Sequence, residues 1–184
     1  ASKLVSVTEE EILAEADSIL NGEKPQNVPQ GDFWHWAFHH EVLDSLCRFR
    51  EAFLEQCCTP ARMALRGIVL GALHGPKQKS VPGYFSNQCP RTYAPKPAYA
   101  ARFWKSRNLA PEPVNVISVI RRRAQRYYQA RLDVVGDVRL ADSRTKGSLT
   151  PMSTDKPFNW IITSPPYYGM RTYIPDQWLR YWFL

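Results

Sequence analysis

The chain has 184 residues, 44% of them hydrophobic and 12% aromatic, which is enough length and apolar content to bury a core and excludes a disordered polypeptide. No apolar run approaches the ~20 residues needed to cross a bilayer, and the first residues lack the basic-then-apolar plan of a signal peptide. The expectation is a cytoplasmic protein with no membrane partner. The net charge of +7 is unevenly placed: residues 1–60 carry four Lys and Arg against eleven Asp and Glu, whereas residues 61–184 carry twenty against six. The basic portion is the one suited to a polyanion. Cys47, Cys57, Cys58 and Cys89 show no CxxC spacing, and an adjacent pair is a poor disulfide framework, so they read as reduced and structural.

In chain order, Thr8-Glu9-Glu10-Glu11 has capping-box spacing, and Ile12, Ala16, Ile19 and Leu20 recur at helical intervals until Asn21-Gly22. These predict an acidic amphipathic helix. Residues 23–32 form a polar, proline-bearing connection. Residues 33–40 are dense in aromatics and histidines and open a second helix carrying Val42, Leu43, Leu46, Cys47, Phe49, Phe53 and Leu54. His35 and His39 stand four apart, a spacing that places two imidazoles on one helical face, but there is no zincin glutamate or obvious third ligand, so they read as structural. Thr59 as cap, Pro60 in the first turn and Gly75-Pro76 as a stop bound a third helix with Met63, Leu65, Ile68, Val69, Leu70 and Leu73.

Residues 76–97 are long, irregular and proline-rich. Lys77, Lys79, Arg91 and Lys96 interleave there with Tyr84, Phe85 and Tyr93, a mixture suited to phosphate contact and base stacking, and Asn87 and Gln88 are of the type that reads base edges. An ordinary surface loop with buried tyrosines is the equal alternative. A short basic helix follows over residues 98–108, then a longer one over 114–130 whose Arg121, Arg122, Arg123 and Arg126 form a candidate phosphate grip. Strand character begins at residue 131, with segments at 132–135 and 138–140, and residues 143–157 read as a polar loop.

The segment at 158–162, Phe-Asn-Trp-Ile-Ile, reads as a short buried strand that Pro165-Pro166 stops abruptly. Ligands collect beyond the carboxyl ends of strands in open α/β sheets, which places a candidate site here. Prolines carry no amide donor, so the turn presents acceptors: the Ser164 hydroxyl and the Pro165 carbonyl. Two such acceptors suit the two protons of an exocyclic amine, whose lone pair is otherwise delocalised into a ring, and they stabilise a more tetrahedral nitrogen. Tyr167 offers a face for stacking. This chemistry requires no metal.

Thr163-Ser164-Pro165-Pro166-Tyr167 resembles the catalytic motif of the DNA amino-methyltransferases, which transfer methyl from S-adenosylmethionine to cytosine N4 or adenine N6. The serine form is most similar to the cytosine-N4 branch, and the resemblance covers about the last fifty residues. It implies Ser164, Pro165, Pro166 and Tyr167 as catalytic residues. It also implies that Asp142, with Ser143, helps seat S-adenosylmethionine, although Asp before Ser is equally a common cap. DNA is the implied partner, with Lys77, Lys79, Arg91, Arg171 and Tyr173 as contacts and residues 168–173 closing on a flipped base. Residues 177–184 begin an aromatic helix.

The family fold is a doubly wound sheet whose first βα turn is glycine-rich, and no such turn is found in the sequence. Gly67 and Gly71 fall within a predicted helix. The expected fold is therefore α/β, with a helical region over residues 1–130 and a partial methyltransferase region over 131–184 bearing part of a Rossmann-like sheet. The expected function is a DNA methyltransferase, or a split piece of one, completed by a complementary polypeptide carrying the glycine-rich cofactor loop. The alternatives are a nonenzymatic nucleic-acid-binding fragment and an RNA or protein-amine methyltransferase.

Overall fold

The computed structural model describes residues 5–75, 82–87, 97–128, 141–142, 144–145, 160, 162–164, 168 and 173–184, the side chains of the last segment from residue 177 onward. Among these residues lie seven helices: α1 (Glu9–Leu20), α2 (Asp32–Ala37), α3 (His40–Glu55), α4 (Pro60–Ala72), α5 (Pro97–Ser106), α6 (Val116–Tyr128) and α7 (Tyr173–Phe183). No helix of the described residues is long and apolar enough to cross a membrane.

Local signals set the helix starts. The Thr8 side chain accepts from the Glu11 amide and the Glu11 carboxylate accepts from the Thr8 amide, so two otherwise orphaned donors are satisfied reciprocally. Thr59 caps α4 by accepting from Arg62 N at 3.2 Å, with Pro60 just inside. In α7, Pro175 falls in the first turn, where its missing N–H has no helical partner to lose. The expected single helix across residues 33–54 is instead two. Phe38 takes an extended backbone (φ −133°, ψ 140°) between α2 and α3 and buries its ring in the core.

Helix α1 packs against α3, α4 and α6, and α4 also packs against α3 and α6. The core between them contains Ile12, Ala16, Leu46, Phe49, Leu65, Val69 and Ile120, all essentially without exposure. Polar side chains tie the connections onto this body. Arg48 donates to the carbonyls of Leu20 (3.1 Å) and Gly22 (2.8 Å), serving acceptors that the end of α1 leaves open. The Glu51 carboxylate accepts from the amides of Gln26 and Asn27 at 2.8–3.0 Å, and Arg62 pairs with Glu15 at 2.7 Å. The polar connection at 23–31 is thus a tethered loop.

A second packing region joins α2, α5 and α7. Helix α2 packs on α5, where Trp104 is buried with its ring 6.1 Å from Phe33. Trp34 lies 4.4 Å from Trp182 and 5.9 Å from Trp178, and Phe33 lies 4.9 Å from Trp178. Phe183, 1% exposed, meets Phe53 of α3 at 6.0 Å. Arg50 donates to the Trp182 carbonyl at 2.7 Å, placing a cation on the last turn of α7 where the helix dipole favours it. The helix that follows the Ser-Pro-Pro-Tyr motif is in this way packed on α2 and α3.

The expected Rossmann-like sheet is overturned. Among the described residues there is no strand and the architecture is helical. The segments at 132–135 and 138–140 lie outside the described residues, and Trp160 and Ile162 of the expected buried strand are 85% and 96% exposed. β-Branched and aromatic residues suit a pleated surface only when neighbouring strands and a covering layer are present. Here the apolar partners are on helices, which satisfy their own backbone.

Phe183→Ala should cost about 3–5 kcal/mol, as for a fully buried phenylalanine. Chemical denaturation, with hydrogen exchange across residues 173–183, checks it: native stability and unchanged protection of α7 would contradict the packing described.

Candidate functional site

Thr163 and Ser164 are exposed, as is Tyr168 just after the motif; Pro165, Pro166 and Tyr167 lie outside the described residues. Trp160, Ile162 and Tyr168 are all large apolar or aromatic side chains in water. The Ser164 hydroxyl is therefore open to a ligand, but the buried strand expected to position it is not there.

Asp142 is exposed and bonded to Arg144 through both carboxylate oxygens, at 2.6 Å to Nη2 and 2.9 Å to Nε, while Oδ1 also accepts the Arg144 amide at 3.0 Å. The Arg144 guanidinium, then its amide, hold the Asp142 carboxyl below the usual aspartate range. This is a local turn closed by its own side chain, the capping use of an aspartate before serine. The side-chain hydrogen bonds of Asp142 among the described residues go to Arg144 and not to Ser164. Ser143 lies outside them, as do Lys77, Lys79, Arg91 and Arg171. Tyr173 opens α7, and its side chain is outside the described set.

The described part of the irregular stretch is docked on the helical body. Phe85 is buried and its amide donates to the Ala72 carbonyl at 2.9 Å. Ser86 and His74 hydrogen-bond at 2.6 Å. The Asn87 amide group donates to the carbonyls of Trp36 (3.2 Å) and Leu109 (2.7 Å), so it joins two segments instead of facing a base edge. Tyr84 lies under the Arg123 guanidinium, 4.7 Å from ring centre to Cζ, and Arg123 also donates to the Gly83 carbonyl at 2.9 Å. The reading as a loop with buried aromatics describes residues 82–87.

The arginine run on α6 divides accordingly. Arg123 is structural, and Arg122 reaches the Pro82 carbonyl at 3.4 Å. Arg121 lies 4.0 Å from Glu9 and remains half-exposed, and Arg126 is exposed beside Tyr127. Arg121 and Arg126 are the members of the run most open to a polyanion.

The break at Phe38 leaves His35 on α2 and His39 at the N-cap of α3, so the two do not share one helical face. No cluster of His, Cys, Asp or Glu suited to a metal exists among the described residues. Cys47, Cys57 and Cys58 are unbridged. Burial first, then the nearby Glu51 and Asp44 charges, push the Cys47 thiol up to about 12, so it stays protonated and unreactive.

One feature escaped the sequence reading. A cavity of about 360 Å³ opens between residues 28–31, α2, the start of α3 and residues 110–111. Its walls include Trp34, Trp36, Phe38, His39 and His40. The density of aromatics and histidines at 33–40 was the available signal, but a cavity needs the break at Phe38 and the return of residues 110–111, neither of which leaves a local mark.

No family model, curated protein or solved structure matches the chain.

Two outcomes test this geometry. Gly75 is buried, and a Cβ there would meet the Tyr84 ring at 2.2 Å, so Gly75→Ala should destabilise by about 1–3 kcal/mol as an overpacking change. Adding Tyr84→Ala should recover part of that loss, and strict additivity in the double-mutant cycle would refute the contact. The Asp142–Arg144 pair should persist above the ordinary aspartate pKa and open as pH falls through the depressed one. In Arg144→Ala the Asp142 carboxyl should titrate at higher pH by NMR; an unchanged midpoint would show that Arg144 is not the cause.

Proposed function

We propose that this chain is a component of a DNA amino-methyltransferase, acting in the cytoplasm and supplying the turn that holds the target amine, with cytosine N4 favoured over adenine N6. The observation that carries the reading is the run Thr163-Ser164-Pro165-Pro166-Tyr167, supported by the exposure of Ser164. The Ser164 hydroxyl and the Pro165 carbonyl each accept one amine proton, which draws the lone pair out of conjugation and makes the nitrogen nucleophilic. Pro166 fixes the turn and Tyr167 stacks on the base. Arg121 and Arg126, with the basic residues of 77–96, are the proposed phosphate contacts.

The described residues do not make up a complete S-adenosylmethionine site. Asp142, the cofactor candidate, has both oxygens engaged by Arg144, and Gly67 and Gly71 lie inside α4, where helical backbone cannot form the glycine-rich turn that lets a chain approach the cofactor closely. The proposed partner is therefore a complementary polypeptide carrying the glycine-rich loop. The apolar side chains exposed around the motif, Trp160, Ile162 and Tyr168, are the surface it would cover.

The test is tritiated methyl transfer to DNA by the chain together with any copurifying polypeptide, followed by identification of the methylated base. N4-methylcytosine is the expected product, and Ser164→Ala should lower the rate about 100-fold or more, the scale of losing one preorganised polar contact to the reacting group. Full activity in Ser164→Ala would remove the proposed role. DNA binding that survives with no methyl transfer under any combination would favour a nonenzymatic nucleic-acid-binding chain.

A further inference from the structure

The cavity at the start of α3 has a consistent chemical character. Its volume of about 360 Å³ is at the small end of ligand sites, which run from about 300 to 1,000 Å³, so it suits one fused ring system. Flat surface is supplied by Trp34 and Trp36, and Pro111 adds aliphatic contact, while the Phe38 and Leu43 side chains are themselves buried. None of the lining residues is Asp, Glu, Lys or Arg. A phosphate or carboxylate would find no fixed counter-charge there, and a bare aliphatic ligand would leave the imidazoles without use.

His39 supplies the directional contact. Its Nδ1 is sealed from solvent with no hydrogen-bond partner, and the nearest charge is the Glu41 carboxylate, 3.8 Å away. That negative charge favours the tautomer with the proton on Nδ1, because an N–H dipole is stabilised there and a lone pair is not. Nε2 then carries the lone pair. It is not among the sealed atoms and makes no hydrogen bond among the described residues, so it is an acceptor awaiting a donor. The His40 ring, centred 4.3 Å from the His39 ring, adds a second flat face.

We infer that this cavity binds a neutral, planar, N–H-bearing heteroaromatic group of nucleobase size, stacked on the aromatic walls and donating to His39 Nε2. Base–aromatic stacking contributes about 1–3 kcal/mol per base, and an acceptor on the wall favours rings that carry a donor over rings that lack one. The site is separate from the Ser-Pro-Pro-Tyr turn, and the inference does not depend on methyl transfer. The same chemistry fits a free nucleoside or a base within a single strand.

The probes are adenosine, single-stranded (dA)12 and cyclohexanol, added to the intact chain without S-adenosylmethionine and followed by tryptophan fluorescence. Adenosine or (dA)12 should give a saturable change with Kd below about 1 mM, and cyclohexanol should not compete. His39→Leu keeps an apolar side chain of similar bulk but removes the acceptor, and should weaken binding at least tenfold. Ala110→Trp, at an exposed position on the cavity wall, should narrow the site with the same effect, and it keeps the test open if His39→Leu does not fold. A response to both variants with (dA)12 identifies a base held within a strand; a response with adenosine alone identifies a free nucleoside. Absence of saturable binding by both probes, equal competition by cyclohexanol, or affinities indifferent to Ala110→Trp would overturn the inference.

Discussion

The contact on which the arrangement depends is that of Trp34 with Trp182 and Trp178. Helix α2 is only six residues long and could not persist by its own hydrogen bonds, since isolated helices of that length are unstable in water. It is held because Phe33 meets Trp104 of α5, Trp34 meets Trp182 of α7, and the Phe38 ring, buried beyond the break after Ala37, stacks on Trp34. The same rings hold α7, which among the described residues is also tied to α3 through Phe53 and Arg50. Aromatic pairs of this kind add about 0.5–1.5 kcal/mol each beyond area burial. A few of them therefore determine whether the chain after the motif is fastened to the chain before it.

The break at Phe38 also accounts for the unused cavity. A continuous helix would have carried His35 and His39 on one face. By ending α2 at Ala37 and starting α3 at His40, the chain leaves a recess that residues 28–31 and 110–111 close from the other sides.

Helix ends with mechanism were legible in the sequence. The capping box at Thr8 and the Thr59-Pro60 start of α4 appear as read, because caps depend on residues three apart and not on distant partners. The strand expected at 158–162 was misread at the same level of pattern. Trp160 and Ile162 have the chemistry of a strand interior, yet strand identity is conferred by neighbours, and the neighbours with apolar surface to offer are helical. The candidate site was legible only as a motif. Ser164 is exposed as an acceptor must be, whereas Asp142 has the capping geometry that a short-range Arg144 imposes. Tyr84, Phe85 and Asn87 look like nucleic-acid contacts because stacking faces and amide groups serve a core and a ligand equally well; only Gly75, His74, Trp36 and Arg123 decide which.

The acidic first helix lies along the basic sixth one, with Glu9 bonded to Gln125 at 3.1 Å and 4.0 Å from Arg121, while Glu15 neutralises Arg62. This sets a limit on what the sequence charge means. An arginine released from a glutamate to meet a phosphate exchanges one anion for another, so the ion pair it gives up is subtracted from the contact it gains. The carboxylates of α1 thus act as a built-in competitor for polyanions. The surplus of basic residues counted along the chain therefore overstates the cations that α6 holds free of a carboxylate.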